Sequence, residues 1–337
     1  MNNGKSITLD HGSGGLLSRR LIEKTIVPFL SNPELARLDD SAVVDIGGLK
    51  LAFTTDSYVI DPVFFPGGDI GRLAVCGTVN DLSMSGARPL YLSLSFIVEE
   101  GFRISDFNRI MKSIKDTAQE AGVLVVTGDT KVVPKGNADN IFINTAGIGI
   151  IPCQFRISAA NARAGDTVIV SGTIGDHGSA VLAHRMGMDG GKTLMSDVAP
   201  LNSMIRRLLD SNIEVHVLKD PTRGGVAGVL NEIAEKSDVT VVIEESLLPL
   251  RDDVSFISDV LGLDPLYVAN EGKCIVCVPE KDARKAVEII KASRFGENAA
   301  IIGKVISGMG AGVILRTVLG TERVIPLMSG EQLPRIC

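Results

Sequence analysis

Residues 49–60 read LKLAFTTDSYVI, an apolar run of strand length that leads into Thr54, Thr55 and Asp56. The same grammar returns at 122–133, GVLVVTGDTKVV, where an apolar run leads into Gly128, Asp129, Thr130 and Lys131, and the strand-like IFINTAGIGII follows at 141–151. Short apolar runs that alternate with helical patterns are what α/β or α+β layers require. A polar stretch, QFRISAANARAGD (154–166), then interrupts the pattern. TVIVSGTIGDHG (167–178) restarts it with a strand that runs into Gly172, Gly175 and Gly178 before a helical segment. Later come the turn and helix VLKDPTRGGVAGVLNEIAEK (217–236), a strand around Cys274 and AAIIGKVI (299–306). The expectation is two α/β domains, 1–153 and 154–320. The remainder, 321–337, has two prolines and one glycine in its last twelve residues and reads as a tail with little regular structure.

Length supports that division, because 337 residues exceed one ordinary core. Apolar residues make up 45% of the chain and charged residues 22%, so sizeable cores can form. Trp is absent and aromatics are scarce, which disfavours stacking platforms for bases. The net charge of −6 argues against phosphate-backbone binding, so no nucleic-acid partner is expected. No apolar stretch reaches membrane-spanning length and the N-terminus lacks the apolar run of a secretory signal; the expected compartment is cytoplasmic, with no membrane partner. Five cysteines, Cys76, Cys153, Cys274, Cys277 and Cys337, are an odd, scattered set and read as reduced thiols. Cys274 and Cys277 have the spacing of half a zinc site, but there is no second pair. In a strand, positions three apart point to opposite faces, so core packing is the favoured reading.

Five aspartates sit at strand ends or turns: Asp40, Asp56, Asp81, Asp129 and Asp220. One at a time such residues form turns or helix caps. Together, hard oxygen ligands on separate loops suit Mg²⁺ that is holding a nucleotide's phosphates. Glycines in HGSGG (11–15), SGTIGDHG (171–178) and RGG (223–225) would let backbone amides approach phosphate oxygens, although none has Walker-type spacing. His11 and His177 lie in such loops and are candidates for nucleotide contact, whereas His184 and His216 fit packing or capping.

The ordered set DDSAVV (39–44), TTDSYVIDPVFFPGG (54–68), VNDLSMSGA (79–87), TGDTKVV (127–133), NTAG (144–147), DPTRGG (220–225) and ANEGK (269–273), closed by PRIC (334–337), resembles the HypE family of hydrogenase maturation factors. The resemblance runs over essentially the whole chain. Its first five segments are shared in outline with aminoimidazole ribonucleotide synthetase, selenophosphate synthetase and thiamine-monophosphate kinase; PRIC is what narrows it.

The resemblance implies a two-domain aminoimidazole ribonucleotide synthetase-like α/β (α+β) fold with a flexible C-terminal tail, homodimeric through its N-terminal sheets. It implies an ATP-dependent carbamoyl dehydratase. The terminal Cys337 receives a carbamoyl group from the carbamoyltransferase HypF, ATP drives its dehydration to a thiocyanate, and the cyano group passes to the HypC–HypD complex as a cyanide ligand of [NiFe] hydrogenase iron. On this basis Cys337, Lys131 and Glu271 are the expected catalytic residues, with Lys135 a rival to Lys131. Gly12, Gly14, Gly15, Thr55, Asn80, Thr130, Asn144 and Arg223 are expected to contact ATP, and Asp40, Asp56, Asp81, Asp129 and Asp220 to hold Mg²⁺. The tail is expected to have an outward state for carbamoylation and an inward one for dehydration. The alternative is a small-molecule kinase or synthetase of the same superfamily, in which Cys337 is incidental.

Overall fold

The computed structural model describes residues 6–12, 14–30, 32–152, 155–188, 194–308, 310–328, 330 and 335–337. Cys153, the expected boundary at 153/154, and Leu333 and Pro334 of the tail lie outside the described residues. A short helical segment, α1 (Leu16–Leu21) and α2 (Val27–Leu30), precedes the first sheet. In chain order there follow β1 (Ala42–Ile46), β2 (Leu49–Tyr58), a small hairpin of β3 (Phe64–Phe65) and β4 (Gly68–Asp69), helix α3 (Ile70–Met84), β5 (Arg88–Glu99), helix α4 (Ile104–Ala121), β6 (Leu124–Val133) and β7 (Ile141–Ile150). The five long strands form one sheet in the order β1-β2-β7-β5-β6, antiparallel except where α4 carries the chain from β5 to a parallel β6.

Both helices form where the sequence starts and stops them. Asp69 caps α3 by accepting from the backbone N–H groups of Gly71 and Arg72 at 2.8 and 3.0 Å. Helix α4 buries Ile110, Ile114, Thr117, Ala118 and Ala121, one face at helical spacing, and ends at Gly122 with φ +69°. They cover one face of the sheet. The other face is open, with Phe53, Tyr91, Ile97 and Ile148 each at least 40% exposed. Strand β6 is exposed along nearly its whole length although its sequence is apolar, which leaves an unpaired, hydrophobic sheet edge.

The second sheet is covered on both sides. Strands β8 (Asp166–Val170), β9 (Val217–Lys219), β10 (Thr240–Glu244), β11 (Ile275–Pro279), β12 (Ala300–Ile306), β13 (Gly312–Arg316) and β14 (Glu322–Val324) lie in the order β14-β13-β10-β12-β8-β11-β9. Of the helices α5 (Asp176–Arg185), α6 (Asn202–Leu209), α7 (Gly225–Ser237), α8 (Asp252–Leu261) and α9 (Glu280–Lys291), α7 packs Val226, Leu230 and Ile233 against one face, while α6 and α9 pack Leu208 and Ile290 against the other. All five residues of β8 are therefore buried. Cys277 belongs to the first of these cores and Cys274 to the second, both fully buried and on opposite faces, as the strand reading requires. The stretch beyond 320, read as having little regular structure, begins with the three-residue β14, paired to β13 and followed by the buried Ile325.

Candidate active site

The period of two in β2 turns Ala52, Thr54 and Tyr58 inward. Asp56 follows the same phase, opposite the fully buried Thr145 of β7. Helix α3 crosses that face and presents Asp81; Gly77 permits the approach, since a Cβ there would lie 2.2 Å from the Tyr58 Oη. The turn after β9 contributes Asp220, and the segment before β1 contributes Asp40. Oxygens of Asp40, Asp81 and Asp220 all lie within 4.8 Å of one another. Thr54 Oγ1 lies 2.9 Å from the Asp40 carbonyl and 3.0 Å from Asp81 Oδ2, tying the group to β2.

Burial raises the pKa of each of these three carboxyls, and their mutual repulsion adds to it for Asp81 and Asp220. Asp40 has a close counter-charge. It is ion-paired with Lys219, whose Nζ also sits 3.1 Å from Glu232. Three crowded, hard oxygen donors with a deficit of positive charge are a donor set for a divalent cation. Asp56 stands beside them, its carboxyl also raised by burial and held in check by Arg223.

The cavity they line holds about 230 Å³ and also takes in Arg223, Glu271 and Cys337. Glu271 is 3% exposed, and its Oε1 has no hydrogen-bond partner among the described residues. Burial first, then the charges of Asp220, Asp197 and Asp56, push its carboxyl well above the usual range. Its loop is locked around it. Asp197 accepts from the Glu271 and Gly272 backbone N–H groups and from Lys273 Nζ at 3.1, 3.3 and 3.1 Å. Gly272 is required there, because a Cβ would lie 1.8 Å from the Asp197 carbonyl.

Residues 335–337 run beside the end of β2, and Cys337 reaches this cavity. The Val59 N–H donates to a terminal oxygen of Cys337 at 3.0 Å, and the Asp61 N–H to the Arg335 carbonyl at 3.3 Å. Ile336 is 3% exposed, within the core of the first sheet. The negative charge of Cys337 is the largest influence on Arg223, whose guanidinium is held more firmly protonated than usual. The glycine segment closes over the same place. A Cβ on Gly14, which has φ +79°, would lie 2.8 Å from the Arg223 Cβ, and one on Gly15 would lie 2.6 Å from the Met328 carbonyl. Gly12 gives its carbonyl to Arg223 at 3.5 Å.

Asp40, Asp56, Asp81, Asp220, Arg223, Glu271 and Cys337 are thus brought together, with Thr55 at the rim. Asn144 lies next to Asp56 and donates to its carbonyl at 2.8 Å. Asn80 points elsewhere: its amide bonds the Ala199 carbonyl and the Leu201 N–H at 3.0 and 2.8 Å, stitching α3 to the second half. Asp129, Thr130 and Lys131 lie on the exposed β6, where Lys131 pairs with Asp129 at 2.6 Å, and Lys135 is exposed beyond the strand. Sequence reading passed over Lys219 and Tyr58. The one signal for Lys219 is its place beside Asp220; nothing local marks Tyr58.

Residues 38–151 match the N-terminal domain of the AIR synthase related protein family, and residues 163–316 its C-terminal domain. The carbamoyl dehydratase HypE of Rhodobacter capsulatus is 45% identical, over 98% of this chain and 98% of its own. The chain belongs to the HypE family. Two solved structures of HypE proteins superpose on it: one in complex with ATP, 47% identical with TM-score 0.84 over 98% of this chain and all of the other, and one in a HypE–HypF complex, 46% identical with TM-score 0.87 over 91% of this chain and 99% of the other. As a member of that family, the chain has the aminoimidazole ribonucleotide synthetase-like architecture expected of it. No helix among its described residues is long and apolar enough to cross a membrane.

Proposed function

We propose that this chain dehydrates a carbamoyl group carried on its own Cys337 Sγ to a thiocyanate, at the expense of ATP. The observation that carries the reading is the position of Cys337, docked on the wall of a cavity that also contains a carboxylate cluster, a buried glutamate and an arginine. In S–C(=O)–NH₂ the oxygen is a poor leaving group. Transfer of the γ-phosphoryl group to that oxygen makes it depart as phosphate; two protons leave nitrogen, and S–C≡N, ADP and phosphate result.

Asp40, Asp81 and Asp220, with Asp56 adjacent, would hold Mg²⁺, which when bound supplies charge neutralisation and polarises the γ-phosphoryl group. Arg223, firmly cationic, faces the negative charge that gathers on the carboxamide oxygen. Glu271 takes a proton from nitrogen; the environment that raises its pKa makes its carboxylate a stronger base. Gly12, Gly14 and Gly15 close over the phosphates.

Carbamoylation needs a carbamoyltransferase of the HypF kind to reach Cys337 with the tail outward, and the HypC–HypD complex accepts the cyano group, all in the cytoplasm. The open face of the first sheet and the bare edge of β6 fit a homodimer interface, which would cover Phe53 and Tyr91, 48% and 45% exposed in the single chain. Asp129, Thr130 and Lys131 would reach a cavity through that interface. A two-domain division at 153/154 falls between the last strand of the first sheet, which ends at Ile150, and the first of the second, which begins at Asp166.

Intact-protein mass spectrometry after incubation with HypF, carbamoyl phosphate and Mg·ATP tests the reading, with Cys337→Ser alongside. The expected result is a carbamoyl adduct on Cys337 that loses the mass of water only when ATP is present. An adduct of equal yield on the serine chain, or none on either, would return the superfamily kinase to first place.

A further inference from the structure

His177, in the glycine segment SGTIGDHG at the start of α5, is fully buried and does not line the carboxylate cavity. Its two ring nitrogens have different partners: Nε2 lies 2.7 Å from the Ile336 carbonyl oxygen and Nδ1 lies 2.7 Å from Ser196 Oγ. A carbonyl oxygen only accepts, so Nε2 must carry the proton. Nδ1 is then an acceptor, and Ser196 must donate its hydroxyl proton to it. Ser196 Oγ in turn accepts from the Val198 N–H at 3.1 Å. Every member is satisfied in one arrangement, and the opposite tautomer would set a bare Nε2 against the Ile336 carbonyl.

The ring has little freedom to leave this arrangement. Phe65 meets it edge-on at 5.4 Å and 89°. The Gly178 N–H is bonded to the Ala269 carbonyl, and the Ser196 N–H to the Pro66 carbonyl. Burial lowers the pKa of His177, opposed by Asp197 and the Ile336 carbonyl and reinforced by Arg185, so the neutral ring is the resident form. The segment that fixes the ring also orders the glutamate loop, since Asp197 is the residue that holds the backbone around Glu271.

We propose that His177 is a positioning residue that latches the C-terminal tail, its Nε2–H gripping the Ile336 carbonyl so that the Cys337 thiol is held at the reacting centre, with Ser196 setting the tautomer that makes the grip possible. The consequence for the reaction rests on the dehydratase reading; the latch itself does not. It stabilises the inward state, so it determines how often Cys337 is presented to a second protein.

The test is the rate at which a polyethylene-glycol maleimide, too bulky for a cavity of about 230 Å³, labels Cys337, followed by peptide mass spectrometry. In His177→Gln the side-chain amide reaches as far as Nε2 and can still donate to Ile336; in His177→Asn it reaches only as far as Nδ1. Losing one hydrogen bond corresponds to a roughly 3- to 10-fold larger outward population. His177→Asn is therefore expected to label that much faster, and His177→Gln at nearly the rate of the unaltered chain. In a single turnover of carbamoylated chain, His177→Asn slows dehydration with ATP affinity unchanged. Equal labelling rates in the Asn, Gln and unaltered chains, at matched melting temperatures, overturn the latch. Should His177→Asn fail to fold, Ser196→Ala carries the test, with faster labelling expected and an unchanged rate counting against it. Labelling needs neither ATP nor a carbamoyl donor, so it reads the latch even if the dehydratase reading fails.

Discussion

The stretches TTD at 54–56 and TGD at 127–129 look alike in sequence, yet they stand on opposite sides of one sheet. Asp56 is opposite Thr145 in β7, Thr145 is opposite Leu94 in β5, and Leu94 is opposite Gly128 in β6. That row faces the helices: Thr145 is fully buried and Leu94 is 5% exposed. Asp129 belongs to the next row, with Ser95, Asn144 and Ser57, and successive residues of a strand face opposite ways. Asp129 and Lys131 consequently point to the open face, three strand spacings or about 14 Å from β2. A strand that ends in aspartate is not yet a site. Phase and strand order decide which carboxyl meets α3, and neither is written in the local sequence.

The difference between the buried and the exposed carboxylates can be broken experimentally, and the buried side should respond most. Glu271→Gln keeps the shape of the loop but removes the proton acceptor, and is expected to slow dehydration by about 10²- to 10⁴-fold while ATP binding persists. A loss of less than tenfold would assign the proton to another group.

Asp81→Asn should move stability and activity in opposite directions. Asn can still accept from Thr54, and it removes one charge from a repelling cluster, so the metal-free chain should melt a few degrees higher, at about 2–4 °C per kcal/mol for a domain of this size. Mg²⁺-dependent stabilisation and turnover should vanish with it. The pH dependence follows from the same repulsion. A carboxyl whose folded pKa exceeds its unfolded one binds its proton more tightly when folded, so stability is fully present below the unfolded pKa and is lost as pH rises through the folded one. For the metal-free chain the window runs from about pH 4, where an unfolded aspartate titrates, to about 7, to which burial and then Asp40 push Asp220. Melting temperature should fall across it, and saturating Mg²⁺ should flatten the fall. A metal-free chain whose stability rises with pH across that window would mean that the cluster does not carry the repulsion described.

Much of this was legible beforehand. The alternation of apolar runs announced both sheets, and Asp40, Asp81, Asp220, Glu271 and Cys337 were named from their segments and meet in one cavity. What escaped reading is what depends on distant packing. Lys219 stands beside an expected ligand, but its role as the counter-charge of Asp40 required β9 to lie at the sheet edge nearest the first half. Asn80 was expected at the nucleotide through the family resemblance; one residue along α3 from Asp81, it turns toward residues 199–201 instead. His177 was read with the glycine loop that carries it, whereas its partner is a carbonyl 159 residues away.

The smallest effect on the chain itself is expected on the exposed side, and it is the most discriminating. Lys131 and Asp129 form a surface pair that solvent screens, so Lys131→Ala should leave the melting temperature unchanged. If Lys131 nevertheless contributes to dehydration, it must do so through a second copy lying against β6, because within one chain it faces away from the cavity. Mixing Lys131→Ala chains with Glu271→Gln chains then separates the cases. Across an isologous interface, each mixed dimer has one site with an intact Glu271 from one subunit and an intact Lys131 from its partner, and statistical exchange should restore about a quarter of normal turnover. Within a single chain, every site in the mixture lacks one residue or the other and nothing is restored. Restoration would make the open face of the first sheet part of the active site; its failure, in a mixture shown to exchange subunits, would leave Lys131 a surface lysine.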